Sequence, residues 1–212
     1  MAGQVKVNQI QLGDSLTPTQ NFVWQTNVDG TAKLARGNVG STTQDILTVD
    51  ANGRIAMPQS VVAFSAYRSS TQSITSTTQT ILQADTKIFD TIGAFNNSAS
   101  PVVLNGLTVP AWSFMPNVPG YYSIETILAI TGTSVSAVVG VFYKNGVQYS
   151  DPLLTQNSVT TPANFCFRDV VYLNGTTDYV STYGQINGTT PGFLFSTVNN
   201  TSKFSATLIA KA

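Results

Sequence analysis

Trp112-Ser113-Phe114-Met115-Pro116-Asn117-Val118-Pro119-Gly120-Tyr121-Tyr122-Ser123-Ile124 is the stretch on which the fold turns. A short aromatic strand end comes first. Pro116 and Pro119-Gly120 then force a turn, because proline fixes its own φ and offers no amide donor to a ladder. A new strand opens on two tyrosines. Residues 122, 124, 126, 128 and 130 read Tyr, Ile, Thr, Leu, Ile, a period-two face suited to line a core. The alternate set is Tyr121, Ser123, Glu125, Ile127 and Ala129. Its carboxylate marks it as the outer face.

Working outward, the same texture continues to the C-terminus. Thr131-Gly132-Thr133-Ser134 turns the chain, and Val135, Ala137, Val139, Val141 and Tyr143 alternate as the next strand. Asn145-Gly146, between Val141-Phe142-Tyr143 and Val147-Gln148-Tyr149, is a strong hairpin signal. Asp151 to Pro162 is expected as a loop. Phe165 to Leu173 is an aromatic strand, Asn174-Gly175-Thr176-Thr177 a turn, and Asp178 to Tyr183 a strand. Gly184 to Gly192 is expected as a loop. Phe193 to Val198 is a further strand, Asn199-Asn200 a turn, and Phe204, Ala206, Leu208 and Ala210 close the chain.

Upstream of the deciding stretch, Val61 to Tyr67 alternates, residues 69–80 form a polar Ser/Thr tract, and Lys87 to Asp90 is a strand piece. No 3.6-period pattern of helix length appears. Many short strands separated by turn signals imply a sandwich, barrel or jelly roll.

Residues 1–60 differ. Val5, Val7 and Ile10 alternate weakly, and Thr17-Pro18-Thr19 breaks the pattern. Two hairpins follow, turning at Val28-Asp29-Gly30 and at Ala51-Asn52-Gly53. Hairpins of that size do not bury a core alone. Pro58-Gln59-Ser60 marks a boundary, giving two parts, 1–60 and 61–212.

Composition narrows function. Charged residues are 9% of the chain, against about 25% in ordinary soluble domains. Residues 1–60 hold four basic and four acidic groups, and residues 61–212 hold six and six. Nucleic acid requires clustered Lys and Arg, so it is an unsuitable partner. Histidine is absent, which removes the commonest general base and metal ligand. The single cysteine, Cys166, is expected as a buried or half-buried small apolar residue. The scattered carboxylates form no catalytic pair. Asp29-Gly30 and Asp50 to Gly53 lack the ligand rhythm of a calcium loop. No catalytic residue, metal or cofactor is therefore expected. Neither a signal peptide nor a membrane span is visible, so membrane insertion is not expected.

Several pieces of residues 61–212 resemble the C1q/TNF-like jelly rolls. Phe114, Pro116, Gly120 and Tyr122 match that family's Phe-x-x-Pro-x-x-Gly-x-Tyr core signature, with Phe114 and Pro116 one residue closer together. Val62-Ala63-Phe64-Ser65-Ala66 resembles its opening strand, Phe89-Asp90 its Phe-Asp, and Lys144-Asn145-Gly146 its Asn-Gly hairpin. Leu173 to Val180 resembles its Leu-x-x-Gly-Asp-x-Val pair, with a longer turn between Gly175 and Asp178. Phe204-Ser205-Ala206-Thr207-Leu208-Ile209 resembles its closing strand, with alanine at 206 in place of glycine. The resemblance implies an all-β, two-sheet jelly roll of about ten strands that forms a homotrimer about a three-fold axis. Tyr121, Ile127 and Ala129 are the expected trimer interface.

The first part is similar in texture to the virion-facing ends of bacteriophage tail fibres. Leu12-Gly13-Asp14-Ser15, Thr19 to Val23, Leu34 to Gly37 and Ile46 to Gly53 carry that likeness. It implies a non-enzymatic bacteriophage structural protein on the virion surface, made in the host cytoplasm. Residues 1–60 would dock on another virion protein, of tail or capsid, with Phe22, Trp24, Leu34, Ile46 and Leu47 as anchor. The head would face solvent, for a host receptor or glycan, through residues the sequence does not identify. The alternative within the same class is a head fibre or capsid decoration that coats or stabilises the shell.

Overall fold

The computed structural model describes residues 9–17, 20–39, 41–56, 62–150, 153–195 and 201–212. The alternation at Val5 and Val7, the Pro18 break, the 58–60 boundary, Asp151 and the Asn199-Asn200 turn lie outside them. The chain forms two compact units, Met1–Val61 and Val62–Ala212.

In the first unit, β1 (Gln9–Leu12), β2 (Phe22–Thr26), β3 (Ala32–Asn38), β4 (Ser41–Val49) and β5 (Ile55–Ala56) follow one another as an antiparallel meander. The two expected hairpins are thus joined through β3 and β4 into one sheet. The short turn after Asn38 carries no Asn-Gly or Asp-Gly signature, so the sequence pattern does not signal this connection. The two turns that do carry it behave as expected. Asp29 accepts bonds from the Thr31 amide at 3.0 Å and the Thr31 hydroxyl at 2.7 Å, while Asp50 accepts from the Asn52 and Arg54 amides. Gly30 and Gly53 take φ of 82° and 77°, which glycine adopts without steric cost. The hydrogen bonds from Thr31, side chain first, hold the exposed Asp29 carboxyl below its ordinary pKa.

The second unit is an all-β jelly roll. Its ten-stranded ladder is organised by β12 (Gly120–Lys144), which serves two layers. The half from Gly120 to Ile130 lies between β15 (Ala163–Leu173) and β17 (Lys203–Lys211); β17 in turn pairs with β6 (Ala63–Tyr67), and β6 with β9 (Thr86–Asp90). The half from Val135 to Lys144 lies between β14 (Leu153–Val159) and β16 (Val180–Phe193), and β16 carries the short edge strands β7 (Gln72–Ser73) and β8 (Thr80–Ile81). β10 (Val102–Leu104) and β11 (Leu107–Val109) form a separate two-stranded hairpin, and β13 (Val147–Gln148) closes the Asn145-Gly146 hairpin, with both turn residues at positive φ.

Thr131 to Ser134 does not end the strand. It is a bulged bend with two register shifts, and Gly132 and Ser134 at φ 148° and 52°. The bend also changes the phase: beyond it Val138 and Phe142 point inward instead of Val139 and Tyr143. Two expected loops are largely strand, as Asp151–Pro162 contains β14 and Gly184–Gly192 lies inside β16. The glycines that suggested a loop are clearance points. A Cβ on Gly184 would stand 2.7 Å from the Leu128 side chain and 2.8 Å from the Phe193 ring, and one on Gly140 would meet the Phe167 ring. Polar residues 69–80 supply the edge strands, held where Gln72 donates to the Ile81 carbonyl and accepts from the Gln83 amide.

The inner face of β12 is the expected one: Tyr122, Ile124, Thr126, Leu128 and Ile130 are fully buried. Thr126 bonds Thr182 of the opposite sheet at 2.9 Å, which satisfies both hydroxyls in the core. Trp112 to Pro119 is a turn-rich crossing rather than a strand end. Trp112 takes φ 55°, and Phe114 bridges Phe95 and Val180. Phe64 stacks on Phe95 and Phe114 at 4.5 and 4.6 Å and meets Phe204 edge-on at 5.0 Å. The Asp90 carboxylate accepts the Ala94 and Phe95 amides and so places Phe95 in that stack. The Tyr122 ring meets Phe114 at 5.5 Å, and its hydroxyl donates to the Val118 carbonyl at 2.7 Å.

Two substitutions separate these contributions. Tyr122→Ala is expected to cost about 3–5 kcal/mol of unfolding free energy in denaturant titration, the range for a deleted buried aromatic. Tyr122→Phe, which removes only the hydroxyl, is expected to cost about 1 kcal/mol. An unchanged midpoint for the alanine variant contradicts the packing described.

Candidate functional site

The outer face of the first sheet is laid out by the ladder, because directly opposed residues share a face. β12 contributes Tyr121, Ser123, Glu125 and Ile127. β15 places Tyr172, Val170, Arg168 and Cys166 opposite them, in that order. β17 adds Thr207, Ser205 and Lys203 beyond. Tyr121 is 48% exposed, Val170 44% and Tyr172 36%. The two tyrosine rings lie 5.4 Å apart at a 56° tilt. Single exposed apolar residues are ordinary, whereas a contiguous group on one flat sheet face marks a surface for contact.

One end of this face is pinned by ion pairing. Lys144 sits at the end of β12 with its ammonium 2.9 Å from Asp178, 2.7 Å from the Tyr172 carbonyl and 5.7 Å from the Tyr172 ring centroid. Asp178 also accepts from the Asn145 side chain at 2.7 Å, and the Asn145 backbone and side chain bond Tyr179. Asn174 accepts the Thr176, Thr177 and Asp178 amides, which sets the turn that presents Asp178. Burial alone would raise the Asp178 pKa. The bonds from Asn145 and Lys144 and the Lys144 charge outweigh it and leave the carboxyl below its ordinary value. The Tyr149 hydroxyl donates to the Val170 carbonyl at 3.1 Å. Together Tyr149 and Lys144 cover part of the free edge of β15.

Cys166 is exposed on this face, opposite Ile127. The expectation of burial fails because even-numbered residues of β15 point outward and its odd-numbered ones inward. Partial desolvation and the nearby Glu125 push the thiol pKa up, with Arg168 opposing.

Of the expected interface residues, Tyr121 and Ile127 lie on this face, exposed and half-buried. Ala129 does not qualify. It is 0% exposed, roofed by its own chain: the Leu194 amide donates to the Ala129 carbonyl, and Ser202 Oγ bonds both the Ala129 amide and carbonyl. Alternation predicts which way a side chain points, and it is silent on what covers it. Tyr172, Val170, Arg168 and Cys166 were missed as face residues. Laying residues 163–173 antiparallel against 120–130 would have found them.

The signature residues Phe114, Pro116, Gly120 and Tyr122 are all buried and structural. A Cβ on Gly120 would stand 2.4 Å from the Ala210 carbonyl oxygen. In the first unit, the ladder sets Trp24 between Ile10 and Leu34, and Phe22 between Leu12 and Arg36; Leu34 opposes Leu47. Phe22, Trp24, Leu34 and Leu47 therefore share one half-buried face with the exposed Ile10 and Leu12. Ile46 is the extra residue of the bulge between the Leu34–Leu47 and Ala35–Asp45 pairs. Among the described residues, no group of three or more His, Cys, Asp or Glu side chains could hold a metal ion, and no helix is long and apolar enough to cross a membrane.

No protein-family model and no curated protein matches the chain. Among solved structures it is similar to the globular domain of zebrafish complement 1qA protein, at 16% identity and a TM-score of 0.46 over 71% of this chain and 98% of that one. It is similar also to Eiger TNF from S. frugiperda, at 12% identity and a TM-score of 0.46 over 72% of this chain and 93% of that one. Both likenesses concern fold, and a fold does not assign an activity.

The Asp178 cluster gives a pH test. A carboxyl with a lowered folded pKa adds stability above its unfolded value, near 3.9, and loses it as pH falls through the folded value. Between about pH 5 and about pH 2 the native melting temperature is expected to fall more steeply than that of Asp178→Asn. Parallel curves would show that the cluster contributes nothing.

Proposed function

We propose that the chain is a non-enzymatic structural and binding protein of a bacteriophage virion that works as a homotrimer. The observation that carries the assembly is the Tyr121–Tyr172–Val170 face. Apolar area left in water costs about 25 cal/mol per Å², and a low-charge sheet face sheds little bound water when it packs. Copies of the chain joined head to tail about a three-fold axis would cover it. The virion assignment rests on the resemblance of residues 1–60 to fibre attachment segments. It is supported by the apolar face of Ile10, Leu12, Phe22, Trp24, Leu34 and Leu47, an outlet for docking on another virion protein. The second unit then faces solvent and meets the host surface.

Sedimentation of the full chain at micromolar concentration is expected to give one species of three chains. Cys166 is the only cysteine, so a thiol reagent reports on this face alone. It is expected to label slowly in the assembled protein and faster after dilution below the assembly threshold. A stable monomer, or labelling independent of concentration, rejects the assembly.

Location is tested separately. Immunogold against the chain is expected to decorate the tail of intact particles; decoration over the shell would make it a capsid protein instead. A truncation beginning at Val61 is expected to fold, trimerise and fail to load onto particles. Normal loading of that truncation removes the anchor role from residues 1–60.

A further inference from the structure

Among the described residues of Val62–Ala212, Arg68 pairs with Asp85 and Lys87 with Asp90, and Lys144 pairs with Asp178 at one end of the outer face of the first sheet. Asp169 accepts from the neighbouring Val170 amide. Further along that face the pattern changes. Glu125 and Arg168 stand directly opposite each other in the β12–β15 ladder, and Lys203 stands opposite Ile127 on the other side of β12. The side chain of none of these three makes a hydrogen bond or an ion pair among the described residues. The gap is notable because Cβ atoms so opposed lie about 4.5–5.5 Å apart, within easy reach of an internal salt bridge. Glu125 is also the only glutamate of the chain.

We propose that Glu125 and Arg168 pair between chains, the carboxylate of one copy receiving the guanidinium of the next, and that these pairs fix the register of the trimer. The inference rests on the reading of this face as the contact between copies. The occupant is a second copy because the face is self-complementary in charge. It presents an anion and a cation one strand apart, about 4.8 Å, with exposed tyrosines beside them. A partner that satisfies both must carry the opposite signs at the same offset, and the chain's own face does so when β15 of one copy lies against β12 of the next. In a closed head-to-tail ring each copy then gives one Arg168 and receives one at Glu125. The planar guanidinium suits this role, since it meets a carboxylate in a bidentate geometry that tolerates little slippage. Such a pair contributes specificity more than raw affinity, as the apolar contact around it supplies the latter.

The test uses the full chain with Glu125→Arg and Arg168→Glu, alone and mixed in equal amounts. Sedimentation is the readout. Each reversal alone is expected to weaken assembly at least about ten-fold. Mixing them is expected to restore mixed trimers, because two of the three contacts in each then regain opposite charges. An ion pair within one chain gives no such restoration, since every copy keeps its like charges whatever it is mixed with. Failure of the mixture to recover therefore overturns the proposal. Assembly of either single variant at native strength also overturns it, while leaving the face as an interface. A native protein that never assembles overturns the interface reading itself. Should a reversal prevent folding, Arg168→Gln takes its place: weaker assembly supports the pair, and unaltered assembly overturns it.

Discussion

The second unit depends on one aromatic stack. Phe64 lies flat between Phe95 and Phe114, Phe204 meets its edge, and Tyr122 closes on Phe114. These five rings come from the opening strand, the segment after β9, the turn before β12, the closing strand and β12 itself. Offset and edge-to-face ring pairs each add about 0.5–1.5 kcal/mol beyond their area burial. Because the rings are drawn from across the chain, the stack fixes where those segments cross. The signature stretch serves this geometry: Pro116 is buried beside it, Tyr122 Oη ties back to Val118, and Gly120 lets β12 pass against Ala210.

The outer face is a by-product of the same strand. Every side chain that β12 sends into the stack obliges its neighbour to face outward. Tyr121 is exposed because Tyr122 is buried, and β15, in register with it, is bound by the same alternation. Core and contact surface are thus two readings of one period of two, and a one-residue slip of β15 would exchange Val171 and Phe167 for Val170 and Cys166.

Legibility followed from how much of a residue's fate is local. The inner face of β12 and the Asn145-Gly146 turn were readable because alternation and turn chemistry act over a few residues. β14 and the far part of β16 were not. Serine, threonine and glycine score as loop formers, yet Gly184 and Gly140 lie in strands, at points where the Leu128, Phe193 and Phe167 side chains occupy the space a Cβ would fill. Ala129 and Cys166 were misjudged for a related reason: one is covered by Leu194 and Ser202 and the other is left bare, and neither fact is local. The unpaired state of Glu125 and Arg168 was invisible for the same reason, since spacing along the chain gives no hint that they are neighbours.

The place of β17 has a consequence for biosynthesis. Lys203–Lys211 follows every strand it joins, yet it sits in the interior of its sheet, between β6 and β12. While the chain is being translated, β6 and the first half of β12 therefore have no ladder partner on their facing edges. Ala66 and Phe204, opposed in the finished sheet, are 138 positions apart by subtraction of their numbers. Closing so long a loop costs entropy that no nearby contact offsets, so the step is intrinsically slow. Two open strand edges and a half-built aromatic cluster are exposed to other nascent chains for that interval. The closing strand acts as a keystone, and the yield of native protein in a crowded cell depends on how soon it arrives.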